Sequence, residues 1–333
     1  MNEQTPDVGA ATERKALAIN LDRSAYGAFA EIGAGQEVVR HFFKAGGASG
    51  TVAKSMSAYD MRVSDAIYGH PKRYVSRERL EQMLQHEYQL LVDRLAPERG
   101  AQTRFFAFAD TVATTPHDGK GQGHSWIGLR FQEAPLSLPS EVLLHLRLWD
   151  KDAGRQQDAL GIVGVNLIHA ALNARTGVDA FLTALVEGVG VGRVEVEFVH
   201  FRGPAFGAFD NRSAALRLVR LGLTDAVLFG PEGLPEVPSE YLYKKNLLVA
   251  RGTFRPVSLV NEDMLACALR NLGDAGADVL PLFEMCIGSD PHPEAELIDR
   301  IRLVATLRRP LLVTRHRGWY RLPAYFRMHT TGR

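Results

Sequence analysis

The sequence predicts an α/β fold that is internally duplicated, with two pseudo-twofold halves built from β-α-β units and a largely parallel or mixed sheet. Short apolar runs of strand length alternate along the chain with longer segments whose apolar residues recur at helical spacing. The sequence Ala-(Tyr/Phe)-Gly-Ala-Phe also occurs twice, at residues 25–29 and 205–209. A chain of 333 residues is long enough to bury one large core or two smaller ones.

Further segments of similar sequence follow each copy of this motif in the same order. The pairs are 51–54 with 224–227, 73–76 with 255–258, and 105–108 with 280–283. A repeat whose copies lie about 180 residues apart predicts that each half buries its apolar face against its copy. We therefore expect a disordered tail at residues 1–16, a first half at 17–195, and a second half at 196–333 with an arginine-rich end.

In the first half, apolar spacing predicts two strands around a short helix, and Ser76 is a favourable N-cap for the helix after them. The predicted elements, in order, are a strand at 17–22, a helix at 36–44, a strand at 51–57, a helix from residue 77, strands at 105–112, 126–132 and 142–148, and a helix at 159–173.

The second half shows the same alternation. Its predicted elements are a helix at 213–221, strands at 226–229 and 246–250, a helix at 262–272, a strand at 279–285, a helix at 297–307 and a strand at 311–314.

Composition excludes several classes of protein. The first 15 residues are polar and lack the apolar core of a secretory signal, and no run approaches the roughly 20 apolar residues that span a bilayer. The two cysteines, Cys267 and Cys286, fall in a predicted helix and a predicted buried strand. These features predict a cytoplasmic protein with reduced thiols and no membrane partner.

Charge is unevenly distributed although the formal net charge is only +1. Residues 300–333 contain nine arginines and no acidic residue, interleaved with Trp319, Tyr320, Tyr325 and Phe326. Such a surface can neutralise phosphates and stack on bases, so a nucleic-acid partner is one interpretation. The other, which we favour, is that these arginines pair with acidic residues of the rest of the chain.

A glycine-rich segment at residues 29–37 is predicted to lead into a helix. Gly33 and Gly35 would let the backbone approach a ligand, and free amides at a helix N-terminus favour an anion, with Glu31 beside them. The segment is similar to the first motif of Rossmann-type methyltransferases, but Glu37 stands where the third glycine is expected. A ligand-binding loop and a tight turn both remain open, and no cofactor is identified.

Charged residues beside the predicted strands are candidates for catalysis. Lys54 lies within a strand, with Asp60 at its end, and Asp110 ends another apolar run. A pair of Lys54 with Asp60 or Asp110 would be either a structural ion pair or an acid–base set. The candidate catalytic residues are Glu37, Lys54, Asp60 and Asp210.

Cations of the second half are candidates for binding an anion. Asp210 is a favourable N-cap, and the cations that follow it have the density that a phosphate or carboxylate ligand requires. A solvated edge strand protected by lysines is the alternative. The candidate ligand-binding residues are Glu31, Gly33, Gly35, Arg212, Lys244, Lys245, Arg251 and Arg255.

Known catalytic and metal motifs are incomplete. Residues 207–210 match the Gly-x-Phe-Asp of nucleotidyltransferases, but the His-x-Gly-His that should follow is absent. His117 and His124 share a glycine-rich loop, yet no His-Glu-x-x-His or Cys-x-x-Cys occurs, so we expect no metal site.

The chain resembles an uncharacterised bacterial family with the signature Y-G-x-F-A-E-I-G-A-G-Q-E-V. The resemblance spans most of residues 17–328 and is carried by residues 26–38, 57–61, 161–168, 210–212 and 242–245. Members carry borrowed names, including TonB-dependent receptor and nicotinate-nucleotide adenylyltransferase, so the resemblance implies no established activity. The receptor name disagrees with the polar N-terminus, and the adenylyltransferase name with the missing histidines.

Together these observations predict a protein that binds a phosphate-bearing small molecule, nucleotide-like or a sugar phosphate, in a cleft between its two halves. Cations would hold the anion, and a carboxylate would serve as general base in a transferase or hydrolase. The alternative is a non-enzymatic interaction or assembly module whose arginine-rich end binds an acidic partner or nucleic acid.

Overall fold

The computed structural model describes residues 8–116, 121–173, 177–273, 279–288 and 292–330. The chain divides into two compact units, residues 1–209 and 210–333, which we call unit 1 and unit 2. This division falls after Phe209, later than the predicted boundary between residues 195 and 196. Residues 117–120, which include His117 of the predicted glycine-rich loop, lie outside the described residues.

Unit 1 contains helices on both faces of a single sheet. Its helices are α1 (Val8–Leu21), α2 (Glu37–Ala45), α3 (Met61–Tyr68), α4 (Arg77–Arg99), α5 (Ala153–Asn173) and α6 (Val178–Leu185). Its strands are β1 (Ala25–Gly33), β2 (Val52–Met56), β3 (Arg104–Ala113), β4 (Gly123–Gln132), β5 (Pro139–Leu148) and β6 (Val194–Arg202).

The sheet of unit 1 has the order β2-β1-β3-β4-β5-β6. Strands β2, β1 and β3 are parallel, and β3 to β6 are joined by antiparallel pairs. The predicted α/β class with a mixed sheet is therefore confirmed. Because the parallel strands β1 and β3 share one carboxyl edge, residues near their ends lie side by side there.

Aromatic packing fixes the two layers that cover β1 and β3. On one face, the ring of Phe29 lies 5.0 Å from that of Phe42 in α2 and 5.9 Å from that of Phe108. On the other face, Tyr88 and Leu91 of α4 pack on Phe105. Strand β1 is thus covered by helices on both faces, which explains its almost continuous apolar sequence.

Unit 2 contains a smaller mixed sheet of order β8-β7-β11-β10-β9. Its helices are α7 (Asn211–Arg220), α8 (Pro238–Tyr241), α9 (Leu259–Leu272), α10 (Glu294–Thr306) and α11 (Arg321–His329). Its strands are β7 (Ala226–Phe229), β8 (Pro235–Glu236), β9 (Asn246–Arg251), β10 (Val279–Cys286) and β11 (Leu311–Thr314). Strands β9, β10 and β11 are parallel, and their core packs around Leu282, Leu312 and Tyr325.

The prediction for the N-terminal segment is wrong. Residues 17–22, predicted as a strand, form the end of helix α1 and the turn that follows, and residues 8–16 of the predicted tail form the rest of the helix. Thr12, Ala16 and Ile19 are buried. A short apolar run is compatible with both the period of a strand and the period of a helix. Here the burial of one helical face determines that the segment is a helix. Residues 1–7 lie outside the described residues.

The predicted internal duplication is not confirmed. Residues 25–29 lie in strand β1, whereas the matched residues 205–209 follow β6 and include a short 3₁₀ helix at Pro204–Phe206. The parallel strands have the order β2-β1-β3 in unit 1 but β9-β10-β11 in unit 2. What the matched segments share is local, namely a helix that starts after Ser76 or Ser258 and leads to a buried strand.

Candidate functional site

Two buried carboxyl groups face each other near the carboxyl edge of the parallel strands in unit 1. Glu31 in β1 and Asp110 in β3 are direct partners in the register of the two strands. Glu31 is 2% exposed and Asp110 is fully buried. Because directly paired residues of neighbouring strands project to the same face, the two side chains lie together on the α2 side of the sheet.

The N-terminus of α2 holds the carboxylate of Glu31. The backbone amides of Val38 and Val39 donate to its two oxygens at 2.9 and 3.2 Å. Burial nevertheless raises the pKa of Glu31 to about 7; the two amides act in the opposite direction, and the nearby charge of Glu37 adds to the rise. Glu31 is therefore poised to gain or lose a proton near neutral pH.

Asp110 has less support for a negative charge. Neither of its carboxyl oxygens has a hydrogen-bond partner of standard geometry among the described residues, although the amide of Ile32 lies close enough to favour the ionised form. Burial, followed by the charge of Glu31, raises the pKa of Asp110 well above its ordinary value. Two adjacent carboxyls in such a site hold at least one proton between them at neutral pH.

The glycines predicted to touch a ligand are required by packing around this pair. A Cβ on Gly33, whose φ is +80°, would lie 2.4 Å from the carbonyl oxygen of Val112. A Cβ on Gly35 would lie 2.3 Å from one carboxyl oxygen of Asp110. The segment between β1 and α2 thus covers the carboxyl pair, and Gly35 is buried against it.

Two predicted catalytic residues of unit 1 have structural roles outside the pair, although the charge of Glu37 acts on the pKa of Glu31. Glu37 binds the guanidinium of Arg40 at 2.7 Å on the surface of α2. Asp60 is exposed and caps α3, where it accepts from the amides of Arg62 and Val63 at 3.0 and 3.1 Å. Neither carboxylate joins Glu31 and Asp110.

Lys54 does not pair with Asp60 or Asp110 as predicted. Its ammonium lies 2.6 Å from the carboxylate of Glu87 in α4, on the other face of the sheet from the carboxyl pair. Tyr68 also donates to Glu87, at 2.7 Å. The pairing of Lys54 with Glu87 depends on the register of β2 and the packing of α4 on the sheet, neither of which the sequence alone shows.

In unit 2, the predicted residues Asp210 and Arg212 support local structure. Asp210 caps α7 by accepting from the amide of Arg212 at 2.8 Å. The guanidinium of Arg212 donates to the carbonyl oxygen of Gly233 at 2.7 Å. Asp210 is therefore the predicted N-cap, while Arg212 ties the start of α7 to the turn before β8.

Arg251 and Arg255 are also bound to protein groups. Arg251 forms a two-pronged ion pair with the buried Glu284, donates to the carbonyl oxygens of His316 and Arg317, and lies 4.8 Å from the ring of Trp319. Arg255 lies 3.1 Å from Glu296. These contacts account for both cations without a ligand.

Two predicted cations have no acidic partner among the described residues. Lys244 is exposed and its ammonium lies 5.2 Å from the ring of Tyr243. The ammonium of Lys245 lies 4.1 Å from the ring of Tyr241. Of the five predicted cations of unit 2, only these two lysines are placed to meet an anion from outside.

Most arginines of the C-terminal segment pair with acidic residues of unit 2, as the favoured interpretation of the sequence expects. The pairs are Arg300 with Glu296, Arg302 with Asp299, Arg308 with Glu232, Arg309 with Glu262, and Arg315 with Asp225. Arg333 lies outside the described residues. The basic run of the sequence is therefore largely neutralised within the unit.

One buried cluster was not anticipated from the sequence. His145 in β5 lies 2.8 Å from the carboxylate of Glu197 in β6, and its ring centroid is 5.6 Å from that of His124 in β4. Burial, followed by the proximity of His145, lowers the pKa of His124 to about 4. No signal in the sequence brings these residues together, because they lie on three different strands.

The described residues contain neither a candidate metal site nor a candidate membrane span. Across these ranges, no group of three or more His, Cys, Asp and Glu side chains is arranged to hold a metal ion. Among the same residues, no helix combines the length and the apolar character that crossing a bilayer requires.

Comparison with known proteins gives weak structural likenesses. No family model and no curated protein matches the chain. Competence/damage-inducible protein CihA from Agrobacterium tumefaciens is 16% identical with a TM-score of 0.35, over 51% of this chain and 98% of that one. A CinA superfamily protein from Klebsiella pneumoniae is 13% identical with a TM-score of 0.37, over 49% and 96%. These values are too low to carry an argument about fold or function.

Proposed function

We propose that the protein is a hydrolase or transferase in which Glu31 and Asp110 form the acid–base pair. The observation that carries this proposal is the pairing of two buried carboxyls with raised pKa at the carboxyl edge of parallel strands, where α/β sheets bind ligands. The general base is thus assigned to Glu31, which replaces Glu37, Lys54, Asp60 and Asp210 of the sequence-based prediction.

The surroundings of the two carboxyls suggest different tasks. Glu31 accepts from two amides at a helix N-terminus, an arrangement that favours its ionised form and suits a base. Asp110 is fully buried without a standard hydrogen bond among the described residues, which favours its protonated form and suits an acid. A substrate would reach them when the segment at residues 34–36, which covers Asp110 through Gly35, moves aside.

We also propose that unit 2 binds a ligand that bears a phosphate group, as in a nucleotide-like molecule or a sugar phosphate. The N-terminus of α2 is not the phosphate site, since Glu31 already occupies two of its amides. The support comes from Lys244 and Lys245, which have no acidic partner among the residues that the structure describes. An ammonium without a carboxylate partner is free to bind a phosphate.

The alternative proposal is an interaction module that uses the arginine-rich end. Its support is limited to Arg317, Arg321 and Arg327, which form no ion pair among the described residues, together with the exposed rings of Trp319 and Tyr320. Binding of short RNA that is lost steeply with salt would favour this alternative over a small-molecule enzyme.

The test is turnover of a panel of phosphomonoesters, nucleotides and sugar phosphates by matched variants. We expect Glu31→Gln and Asp110→Asn each to lower kcat by at least about 100-fold, because each removes a proton-transfer group. Asp60→Asn is the control, since asparagine can still cap α3 and Asp60 lies outside the pair. Binding of the same compounds, measured separately by calorimetry, should be weakened by Lys244→Ala combined with Lys245→Ala in unit 2. Full turnover in both carboxyl variants would refute the assignment.

A further inference from the structure

Unit 1 contains a cavity of about 310 Å³ between strands β1 and β2 and helix α4. It is lined by Ala28 of β1, and Glu31 lies three residues further along the same strand. Because side chains alternate along a strand, the cavity and the carboxyl pair lie on opposite faces of the sheet. Its volume is at the lower end of the range of small-molecule sites in proteins.

A break in strand pairing turns Lys54 toward this cavity. Gly27 pairs with Val52, but the next residue, Ala28, pairs with Lys54, so Ala53 is an extra residue in β2. Such a bulge redirects the side chains that follow it and is typical of sheet edges and binding sites. Lys54 is therefore aligned with Ala28 on the α4 face, and both line the cavity.

The carboxylate in the cavity is in contact with two protein groups. Glu87 is 1% exposed, accepts from the hydroxyl of Tyr68 at 2.7 Å and meets the ammonium of Lys54 at 2.6 Å. Burial and the bond to Glu87 raise the pKa of Tyr68, so this hydroxyl remains a donor. The oxygen that faces Lys54 accepts no hydrogen bond of standard geometry among the described residues, so its charge is compensated by the ion pair with Lys54.

The cations of the cavity have donors to spare. An ammonium has three N–H donors, but that of Lys54 contacts a single carboxylate, that of Glu87. The side chain of Lys54 is 39% exposed, so its other donors can reach a ligand. Arg94 also lines the cavity, is exposed, and makes no ion pair or hydrogen bond within the described part of the chain. Two cations against one carboxylate leave the lining with an excess of positive charge.

The rest of the wall is apolar. Leu90, Leu91 and Leu95 of α4 face Ala28 and Ala53 of the sheet across the cavity. The two alanines leave the space that larger strand residues would fill. A complementary ligand therefore has a single negative group and a short hydrocarbon body.

We infer that this cavity is a second ligand site, which binds a small monocarboxylate with an apolar body through Lys54 and Arg94. The carboxylate accepts from both cations, and the hydrocarbon part lies against the leucines of α4. The site does not depend on the carboxyl pair, so its occupancy can be measured whether or not the protein is an acid–base enzyme.

The experiment is calorimetric titration of the full chain with octanoate and, as the uncharged comparison, octan-1-ol. We expect saturable binding of octanoate to one site and weaker binding of octanol. Arg94→Gln should weaken octanoate binding by about fivefold, since Arg94 is exposed, and leave octanol binding unchanged. Arg62→Gln, which alters an equally exposed arginine outside the cavity, should leave both unchanged.

A second variant removes the buried charge pair as a unit. Lys54→Met combined with Glu87→Gln keeps a hydrogen-bond acceptor for Tyr68 and leaves no unpaired charge, so the fold should be retained. It should weaken octanoate binding by at least about tenfold. The inference would be overturned if octanoate did not bind, or if it bound no more tightly than octanol. Equal octanoate binding by this variant and the natural protein would also overturn it.

Discussion

Replacing Arg251 with Met is expected to destabilise unit 2 by about 3–5 kcal/mol, the usual result of removing one partner from a buried ion pair. Glu284 is fully buried, and apart from Arg251 only the hydroxyl of Thr314, at 2.6 Å, is seen to donate to it among the described residues. Methionine would fill a similar volume but leave the carboxylate uncompensated. The same change releases the carbonyl oxygens of His316 and Arg317, which Arg251 ties to the sheet.

Hydrogen exchange of the amides in β10 and β11 measures this loss directly, because it reports the free energy of opening of unit 2 alone. Arg302→Gln is the matched control. Its partner Asp299 and Arg302 itself are both largely exposed, so we expect a change below about 1 kcal/mol. Equal protection in the two variants would show that Arg251 is free to bind an external anion, as the sequence predicted.

Replacing Glu31 with Gln is expected to remove a pH dependence of stability from unit 1. A carboxyl whose pKa rises from about 4.5 in the unfolded chain to about 7 in the fold binds its proton more tightly when folded. Glu31 therefore contributes to the free energy of unfolding below the pKa of the unfolded state, and this contribution is lost as pH rises through the pKa of the folded state. Between about pH 4 and 8 the loss approaches about 3 kcal/mol.

The comparison is the difference in free energy of unfolding between the natural protein and Glu31→Gln, measured by urea at several pH values. The introduced amide keeps one acceptor oxygen, enough for the N–H of Val38, but leaves the N–H of Val39 without one. Because this cost does not depend on pH, the stability of the variant relative to the natural protein should rise between pH 5 and pH 8. A difference independent of pH would mean that Glu31 has an ordinary pKa. Glu98→Gln, which alters an exposed acid of α4, is the control.

Several helices could be predicted from the sequence because their apolar residues recur at helical spacing, as Val38, Val39 and Phe42 do in α2. Short apolar runs fit a strand and a helix equally well. Residues 226–229 and 311–314 are strands with the predicted bounds, whereas residues 17–22 are not a strand. There the sequence alone predicts the wrong element, and burial of α1 decides it.

The candidate site was only partly predictable. The sequence places Glu31 beside a glycine-rich segment and Asp110 at the end of an apolar run, but their pairing depends on the register between two strands that are distant in sequence. The sequence predicts Lys54 as a charge within a strand. Its partner is Glu87 because a bulge in β2 turns Lys54 toward α4, and no residue pattern predicts this bulge. Arg251 was predicted as a ligand-binding cation because Glu284 in β10 could not be recognised as its partner.

The most direct test of the account is a carboxyl ¹³C NMR titration of Glu31 and Asp110 in the natural protein, with Asp110→Asn used to separate the two resonances. The account predicts two coupled steps, with Glu31 titrating near pH 7 and Asp110 well above its ordinary value, and a lower pKa of Asp110 in Glu31→Gln, which removes the neighbouring charge. Independent titration of both carboxyls near pH 4 would contradict the acid–base pair and the function proposed for it.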